Sequence, residues 1–187
     1  MNLEISKTAN LPTEYGNLKI KSFKEGIKEH LVVFTDTLPT IPTVRIHSEC
    51  LTGDVFKSKK CDCGEQLDYA LKQISKDGGM VIYLRQEGRG IGLLNKVNAY
   101  HLQDFGHDTM KANELLGFKQ DYRDYKIVDE ILQHFNIEKI NLMTNNPLKL
   151  NALEKTKIKR RVPIVMNSCK YNYEYLEVKK EKMGHLL

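Results

Sequence analysis

The sequence predicts an α/β protein: a mixed sheet covered by helices, of the three-layer α/β/α type, folded as a single compact domain over residues 1–187. Two observations carry this. Short β-rich apolar runs alternate with helical patterns along the chain, the signature of a sheet with crossover helices. The 187 residues show no internal repeat and no linker rich in Gly, Pro or Ser, so one core is expected.

The elements follow in order. Leu31–Thr35 and Thr43–His47 are short apolar runs bounded by polar residues, as strands are. In Glu65–Lys76, Leu67, Ala70, Leu71 and Ile74 recur at helical spacing. Met80–Leu84 is a third strand. Leu93–Asp104 reads as a helix in which Leu94, Val97 and Leu102 form a buried face. Tyr125–Phe135 repeats the helical spacing through Ile127, Val128, Ile131, Leu132 and Phe135. Ile140–Thr144 is a fourth strand. Asn146-Pro147 looks like a cap and a first-turn proline, opening a helix to about Lys155. Val162–Met166 is a fifth strand, and the charged tail Tyr173–Leu187 reads as helical.

Composition narrows the function. Hydrophobic residues make up 41% and charged residues 28%, ordinary for a globular chain and incompatible with disorder as the main state. A net charge of +5 is mild for a dedicated DNA-binding domain but suits a polyanionic small molecule. No stretch approaches the ~18–20 apolar residues of a membrane span. The segment after Met1 has no apolar core of a signal peptide, so a cytoplasmic protein with no membrane partner is expected.

The strongest chemical signal is Cys50-x10-Cys61-x-Cys63. Three thiolates suit Zn²⁺, and Cys61 and Cys63 are too close for an easy mutual disulfide. Two metal readings stand side by side. A structural zinc would recruit a fourth ligand, such as His47 or Cys169. A catalytic zinc would leave that position to water and lower its pKa.

Other segments offer anion chemistry. Arg85-Gln86-Glu87-Gly88-Arg89-Gly90-Ile91-Gly92 is a glycine-rich turn whose N–H groups and arginines can face phosphate, although it has no P-loop Lys-[Ser/Thr]. An ordinary strand-to-helix turn is its plainer reading. Thr144-Asn145-Asn146-Pro147-Leu148-Lys149 is similar, with simple N-capping as the alternative. Arg45 and His47 alternate onto one face beside Cys50. Asp121-Tyr122-Arg123-Asp124-Tyr125 is a charged loop. The basic run Lys155–Arg161 reads as a solvated face or turn, or else as an attractor of anions.

These motifs, in this order, resemble GTP cyclohydrolase II. Arg45-Ile46-His47-Ser48-Glu49-Cys50-Leu51-Thr52-Gly53-Asp54, Cys61-Asp62-Cys63-Gly64, Arg85-Gln86-Glu87-Gly88-Arg89, Leu93-Leu94-Asn95-Lys96, Thr144-Asn145-Asn146-Pro147 and the ending Lys182-Met183-Gly184-His185-Leu186-Leu187 carry the resemblance. It implies hydrolysis of GTP in the first step of riboflavin synthesis. The imidazole ring opens, C8 leaves as formate and the outer phosphates leave as pyrophosphate, giving a diaminopyrimidinone ribosyl phosphate. It implies one catalytic Zn²⁺ per subunit on Cys50, Cys61 and Cys63, Mg²⁺ with the triphosphate, and a homodimer. GTP contacts would come from Arg45, Ile46, His47, Ser48, Glu49, Gln66, Glu87, Gly88, Arg89, Thr109, Thr144 and Lys149. Tyr100 would assist at the ring, Asp121 would accept a proton, and Arg123 would act on the α-phosphate. Because a guanidinium has a pKa above ~12, charge stabilisation is the plainer role for Arg123 than nucleophilic attack. Cys169 matches no ligand of the family and reads as a structural thiol. Two alternatives differ in class: a basic nucleic-acid-binding protein with structural zinc, and a family variant that releases pyrophosphate with incomplete ring opening.

Overall fold

The computed structural model describes residues 3–119 and 121–187. The chain has the predicted α/β class, built on a mixed sheet. Its backbone contacts divide it into two compact units. The first comprises the residues up to His47, Leu67–Arg85 and Tyr125–Ile164, and the second comprises Ser48–Gln66, Gln86–Asp124 and Val165–Leu187.

The first unit carries the sheet. Among the described residues its strands are β1 (Glu4–Ile5), β2 (Ala9–Thr13), β3 (Gly16–Glu25), β4 (Lys28–Phe34), β5 (Thr43–Ser48), β6 (Gly79–Leu84), β7 (Lys139–Met143) and β8 (Lys157–Val162). Their spatial order is β1-β3-β4-β6-β5-β7-β8, and β2 also pairs with β3. β1, β2 and β4 run antiparallel to β3, and β6 runs antiparallel to β4. β5, β7 and β8 run parallel. The central strand β6, Gly-Met-Val-Ile-Tyr-Leu, is almost continuously apolar and buried, as strands covered on both faces are. Val44, Ile46, Met80, Ile82, Leu84, Ile140 and Leu142 have no exposed surface and join Phe23 and Val32 in one core.

Helix α5 (Lys126–His134) completes that core with Ile127, Val128, Ile131 and Leu132 on its buried face. Each fully buried aliphatic side chain contributes about 1.5–3 kcal/mol. Asn146 caps α6 (Pro147–Leu150), its Oδ1 accepting from the Leu148 N–H at 2.9 Å. This helix stops short of the expected Lys155. The N–H groups of Glu154 and Lys155 turn instead to Asp129 Oδ2, at 2.7 and 3.1 Å, and the chain enters β8. The basic run is thus largely strand, and the predicted Val162–Met166 strand lies several residues too late. Lys157, Lys159 and Arg160 are exposed on it, which is compatible with a charged sheet edge.

The second unit is helical. It contains α1 (Leu51–Asp54), the first turn of α2 (Cys63–Asp77), a 3₁₀ turn (Glu87–Gly90), α3 (Gly92–Asp104), α4 (Thr109–Leu115) and α7 (Tyr173–Glu181). The apolar face expected for α3 is not buried: Leu94 is 75% and Val97 50% exposed. The residues of α3 that are buried are Lys96 and Ala99. No helix among the described residues is long and apolar enough to cross a membrane.

Candidate functional site

The three predicted cysteines converge. Cys50 precedes α1 and donates its N–H to Asp54 Oδ2 at 2.9 Å. Cys61 lies in the turn before α2, and Cys63 is the first residue of that helix. Their sulfurs all lie within 4.8 Å of one another, and among the described residues no other His, Cys, Asp and Glu group of three or more has this arrangement. Two glycines permit the convergence. A Cβ on Gly53 would sit 2.9 Å from Cys61 Sγ and 3.3 Å from Cys50 Sγ. A Cβ on Gly64 would sit 2.2 Å from the Gly53 carbonyl oxygen.

The donor set fits a soft divalent cation. Hydrogen bonds from the Cys61 and Cys63 thiols, with the charge of Lys96, drive Cys50 far below the ordinary thiol range. Sharing with Cys50 pushes Cys61 up to about 11 and Cys63 well above its usual value. Three thiols in one buried site cannot ionise together unless a cation joins them. Metal binding there would displace the remaining protons. The structural alternative finds no support at Cys169, which is exposed rather than packed, its Sγ 4.0 Å from the Lys59 carbonyl.

A second layer surrounds the sulfurs. Lys96 Nζ donates to Cys50 Sγ at 3.1 Å and to Glu87 Oε1 at 2.8 Å. Burial pulls Lys96 toward neutrality, but Cys50 and Glu87 outweigh it and hold the ammonium above its ordinary pKa. Glu87 also accepts from the N–H groups of Leu51 at 2.7 Å and Gly88 at 2.8 Å. Oε2 thus holds the cysteine turn at Leu51, while Oε1 holds Lys96 and the Gly88 N–H. Tyr100 Oη lies 3.2 Å from Thr52 Oγ1, which lies 3.7 Å from Cys50 Sγ. Burial raises the Tyr100 pKa, so the phenol keeps its proton.

The glycine-rich turn holds a cation. Arg89 has left-handed backbone, φ 61°, a conformation that non-glycine residues seldom adopt. Both terminal nitrogens of its guanidinium are buried and have no hydrogen-bond partner among the described residues. A buried donor pair of this kind is costly unless a ligand supplies acceptors. The Arg89 carbonyl accepts from Tyr122 N–H at 2.9 Å, fixing the charged loop. There Arg123 Nε donates to both Asp121 oxygens, at 2.9 and 3.0 Å. Burial opposes ionisation of Asp121, but Arg123 overcomes it and holds the carboxyl below its ordinary pKa, with Arg89 adding to the effect. Gln66 Nε2 donates to Asp62 Oδ2 at 2.6 Å, Ser48 Oγ accepts from Gln86, and Thr109 opens α4.

The first unit holds its own set. Arg45, Ile46 and His47 lie buried on β5, with Arg45 NH1 donating to the Met143 carbonyl at 3.1 Å. His47 stacks on Tyr83 at a centroid distance of 5.4 Å. Lys149 Nζ donates to the Ile46 carbonyl at 2.8 Å, and Thr144 Oγ1 accepts from the Asn146 N–H at 3.0 Å. Glu49, in the second unit, is half-buried.

Sequence reasoning assigned no role to Lys96, Thr52 or Asp62. The lysine could have been found from its place in the Leu93–Lys96 motif. Thr52 and Asp62 likewise lie inside the Arg45–Asp54 and Cys61–Gly64 motifs, but nothing in the sequence shows which side chains they meet.

Comparisons with known proteins agree with these motifs. A family model described as GTP cyclohydrolase II matches residues 4–163. The chain is 60% identical over 190 residues to a GTP cyclohydrolase-2 of Campylobacter fetus subsp. fetus (strain 82-40), covering 100% of this chain and 97% of that one. It is 58% identical over 189 residues to a GTP cyclohydrolase-2 of Helicobacter pylori (strain J99 / ATCC 700824), covering 99% and 98%.

Proposed function

The chain belongs to the GTP cyclohydrolase II family and is a hydrolase, and from that premise we propose that it opens the imidazole ring of GTP, releasing formate and pyrophosphate in the first step of riboflavin synthesis. The observation that carries this reading is the buried Cys50–Cys61–Cys63 group with the Tyr100 hydroxyl joined to it through Thr52. The three cysteines would hold one Zn²⁺ per subunit, which when bound supplies Lewis-acid activation of water for attack at C8.

The protein's own residues account for the rest of the chemistry. Tyr100, kept protonated by burial, donates a hydrogen bond to a purine nitrogen as negative charge builds there. Asp121, kept ionised by Arg123, would accept a proton. The Arg89 guanidinium, whose terminal nitrogens are buried with no hydrogen-bond partner among the described residues, takes phosphate oxygens. Arg123 is held in a fork by Asp121 and always charged, so it stabilises the departing pyrophosphate rather than attacking phosphorus. Mg²⁺ accompanies the triphosphate. The Arg45–Glu49 stretch, Gln66, Glu87, Gly88, Thr109, Thr144 and Lys149 complete the GTP contacts. We assign residues 1–187 to one catalytic domain. We also assign a homodimer, as the family resemblance implies; the exposed Leu94, Val97 and Phe105 are compatible with it. A reducing cytoplasm suits three free thiols at one site.

Incubation with GTP, Mg²⁺ and Zn²⁺ tests the reading by measuring formate and pyrophosphate on one sample. Equimolar release of both is expected. Pyrophosphate without formate would identify the variant chemistry, and release of neither would overturn the assignment.

A further inference from the structure

We propose that the C-terminal helix α7 is a clasp on the metal loop, with Lys179 acting through Asp62 as the positioning residue for Cys61 and Cys63; this rests on the reading of those cysteines as metal ligands. Asp62 stands between the two cysteines and is 1% exposed. A carboxylate so buried needs its oxygens satisfied. Oδ1 accepts from Lys179 Nζ at 2.6 Å, across 117 residues of sequence. Oδ2 accepts from Gln66 Nε2 at 2.6 Å, one turn into α2. The middle residue of Cys-Asp-Cys is thereby fixed from two sides. Because adjacent side chains leave the backbone in set directions, fixing Asp62 fixes where both sulfurs point.

The α7 side of the contact is built for this. Lys179 is buried, with Nζ 4.3 Å from the ring centroid of Tyr175, its neighbour one helical turn earlier. The Lys179 carbonyl accepts from the His185 N–H at 3.0 Å, closing the helix end. A second lysine of the helix, Lys182, reaches Asp108 Oδ2 at 2.8 Å. Asp108 is the N-cap of α4, where Oδ1 accepts from Met110 and Lys111 N–H groups. One helix therefore fastens both the cysteine loop and the start of α4, which carries Thr109. Lys182 and Asp108 are solvent-accessible and contribute little on their own, whereas the Lys179–Asp62 pair is dry. Losing only its lysine would strand a carboxylate between two ligands, and Asp62 would turn toward water and take the loop with it.

Cobalt-loaded full-length protein tests the clasp, because thiolate-to-cobalt absorption bands report ligand geometry without any turnover. The measurement is the band pattern and the rate of cobalt transfer to EDTA. Lys179→Met should distort the bands and speed release ~10-fold or more, the scale on which residues behind metal ligands act. Lys179→Arg should restore most of the parent rate, and Lys180→Met, on an exposed position of the same helix, should match the parent. The Asp62→Asn/Lys179→Met double variant removes both buried charges, so its far-UV circular dichroism should stay native while release remains fast. The clasp is overturned if the double variant keeps the parent's bands and rate, or if Lys180→Met accelerates release as much as Lys179→Met. A parent protein that takes up no cobalt would overturn the metal reading itself, and the clasp with it.

Discussion

The Lys96 ammonium donates a hydrogen bond to the Cys50 sulfur over 3.1 Å, inside a helix otherwise studded with exposed leucine and valine. With a divalent cation bound, three thiolates would carry a net charge of −1, which a buried lysine on one sulfur would neutralise. The same ammonium also satisfies Glu87. Lys96→Met should therefore destabilise the fold by about 3 kcal/mol, because it leaves a buried carboxylate unpaired. Adding Glu87→Gln should recover part of that stability without recovering formate release. Urea unfolding and a formate assay on the single and double variants check this. Recovery of both together would reduce Lys96 to a folding role.

The glycines beside the cysteines set a steric limit that can be measured. Gly64→Ala would place a methyl group 2.2 Å from the Gly53 carbonyl oxygen, a backbone atom that cannot swing aside. Gly53→Ala would press on two of the three sulfurs. Both variants should lose bound metal, and Gly64→Ala should also melt well below the parent. Gly106→Ala is the control: φ is +91° there, but nothing lies within 4 Å of the added Cβ. It should cost only about 1–2 kcal/mol of backbone strain and keep its metal. Metal content by elemental analysis and thermal melts separate the three.

How much of this was legible beforehand depended on whether a residue's surroundings could be inferred from its neighbours in sequence. Helices α2 and α5 were readable because apolar residues such as Leu67, Ala70 and Ile74, or Ile127, Ile131 and Leu132, recur at helical spacing. The cysteine spacing was readable because few chemistries use three thiols so close together. The antiparallel strands β1 to β3 were missed. Gly16–Glu25 mixes lysine and serine with Leu18, Ile20 and Phe23, and two of its partners, Glu4–Ile5 and Ala9–Thr13, are short and largely exposed. β8 was hidden for a related reason: a strand written Lys-Ile-Lys-Arg-Arg-Val looks like a charged turn until its edge position is known. In α3 the periodicity misled, since Leu94 and Val97 face solvent while Lys96 is inside. A lysine reads as solvated in any sequence, and the partners that bury this one lie nine and 46 residues away.

Acid sensitivity should trace in part to His30 on β4. Its Nδ1 accepts from the Arg85 N–H at 3.0 Å, which requires the neutral ring. Burial, with Lys28 and Arg85 nearby, lowers its pKa to about 4. The folded value lies below the unfolded value of ~6.5, so the unfolded chain takes up the proton first. The stability that neutral His30 contributes is complete above the unfolded pKa and is lost as pH falls toward the folded one. Between pH 7 and 5 the parent should lose on the order of 1 kcal/mol more than His30→Gln, allowing for solvent screening. Urea melts of both proteins at the two pH values provide the comparison. Parallel losses would show that other groups carry the acid response.

Tyr100 provides the test of whether ring opening can be separated from phosphate departure. Its hydroxyl lies 3.2 Å from Thr52 Oγ1, with the ammonium groups of Lys60 and Lys96 5.0 and 5.7 Å from the ring centroid. Two lysines near a buried phenol favour partial negative charge on its oxygen, and burial keeps the proton in place until charge develops on a partner. That combination suits donation to a purine nitrogen during attack at C8, which typically contributes ~10²–10⁴-fold. The phosphates lie at the far end of the nucleotide, out of reach of a hydroxyl engaged with the base. Tyr100→Phe keeps the ring and its packing, so folding and GTP binding should change little. The variant should release pyrophosphate near the parent rate while formate falls at least ~100-fold. Thr52→Val, which removes the hydroxyl that orients the phenol, should show the same split in milder form. Both products measured from one reaction decide the matter. If pyrophosphate and formate fall together in Tyr100→Phe, the phenol acts on binding or folding, and its assignment to the ring is wrong.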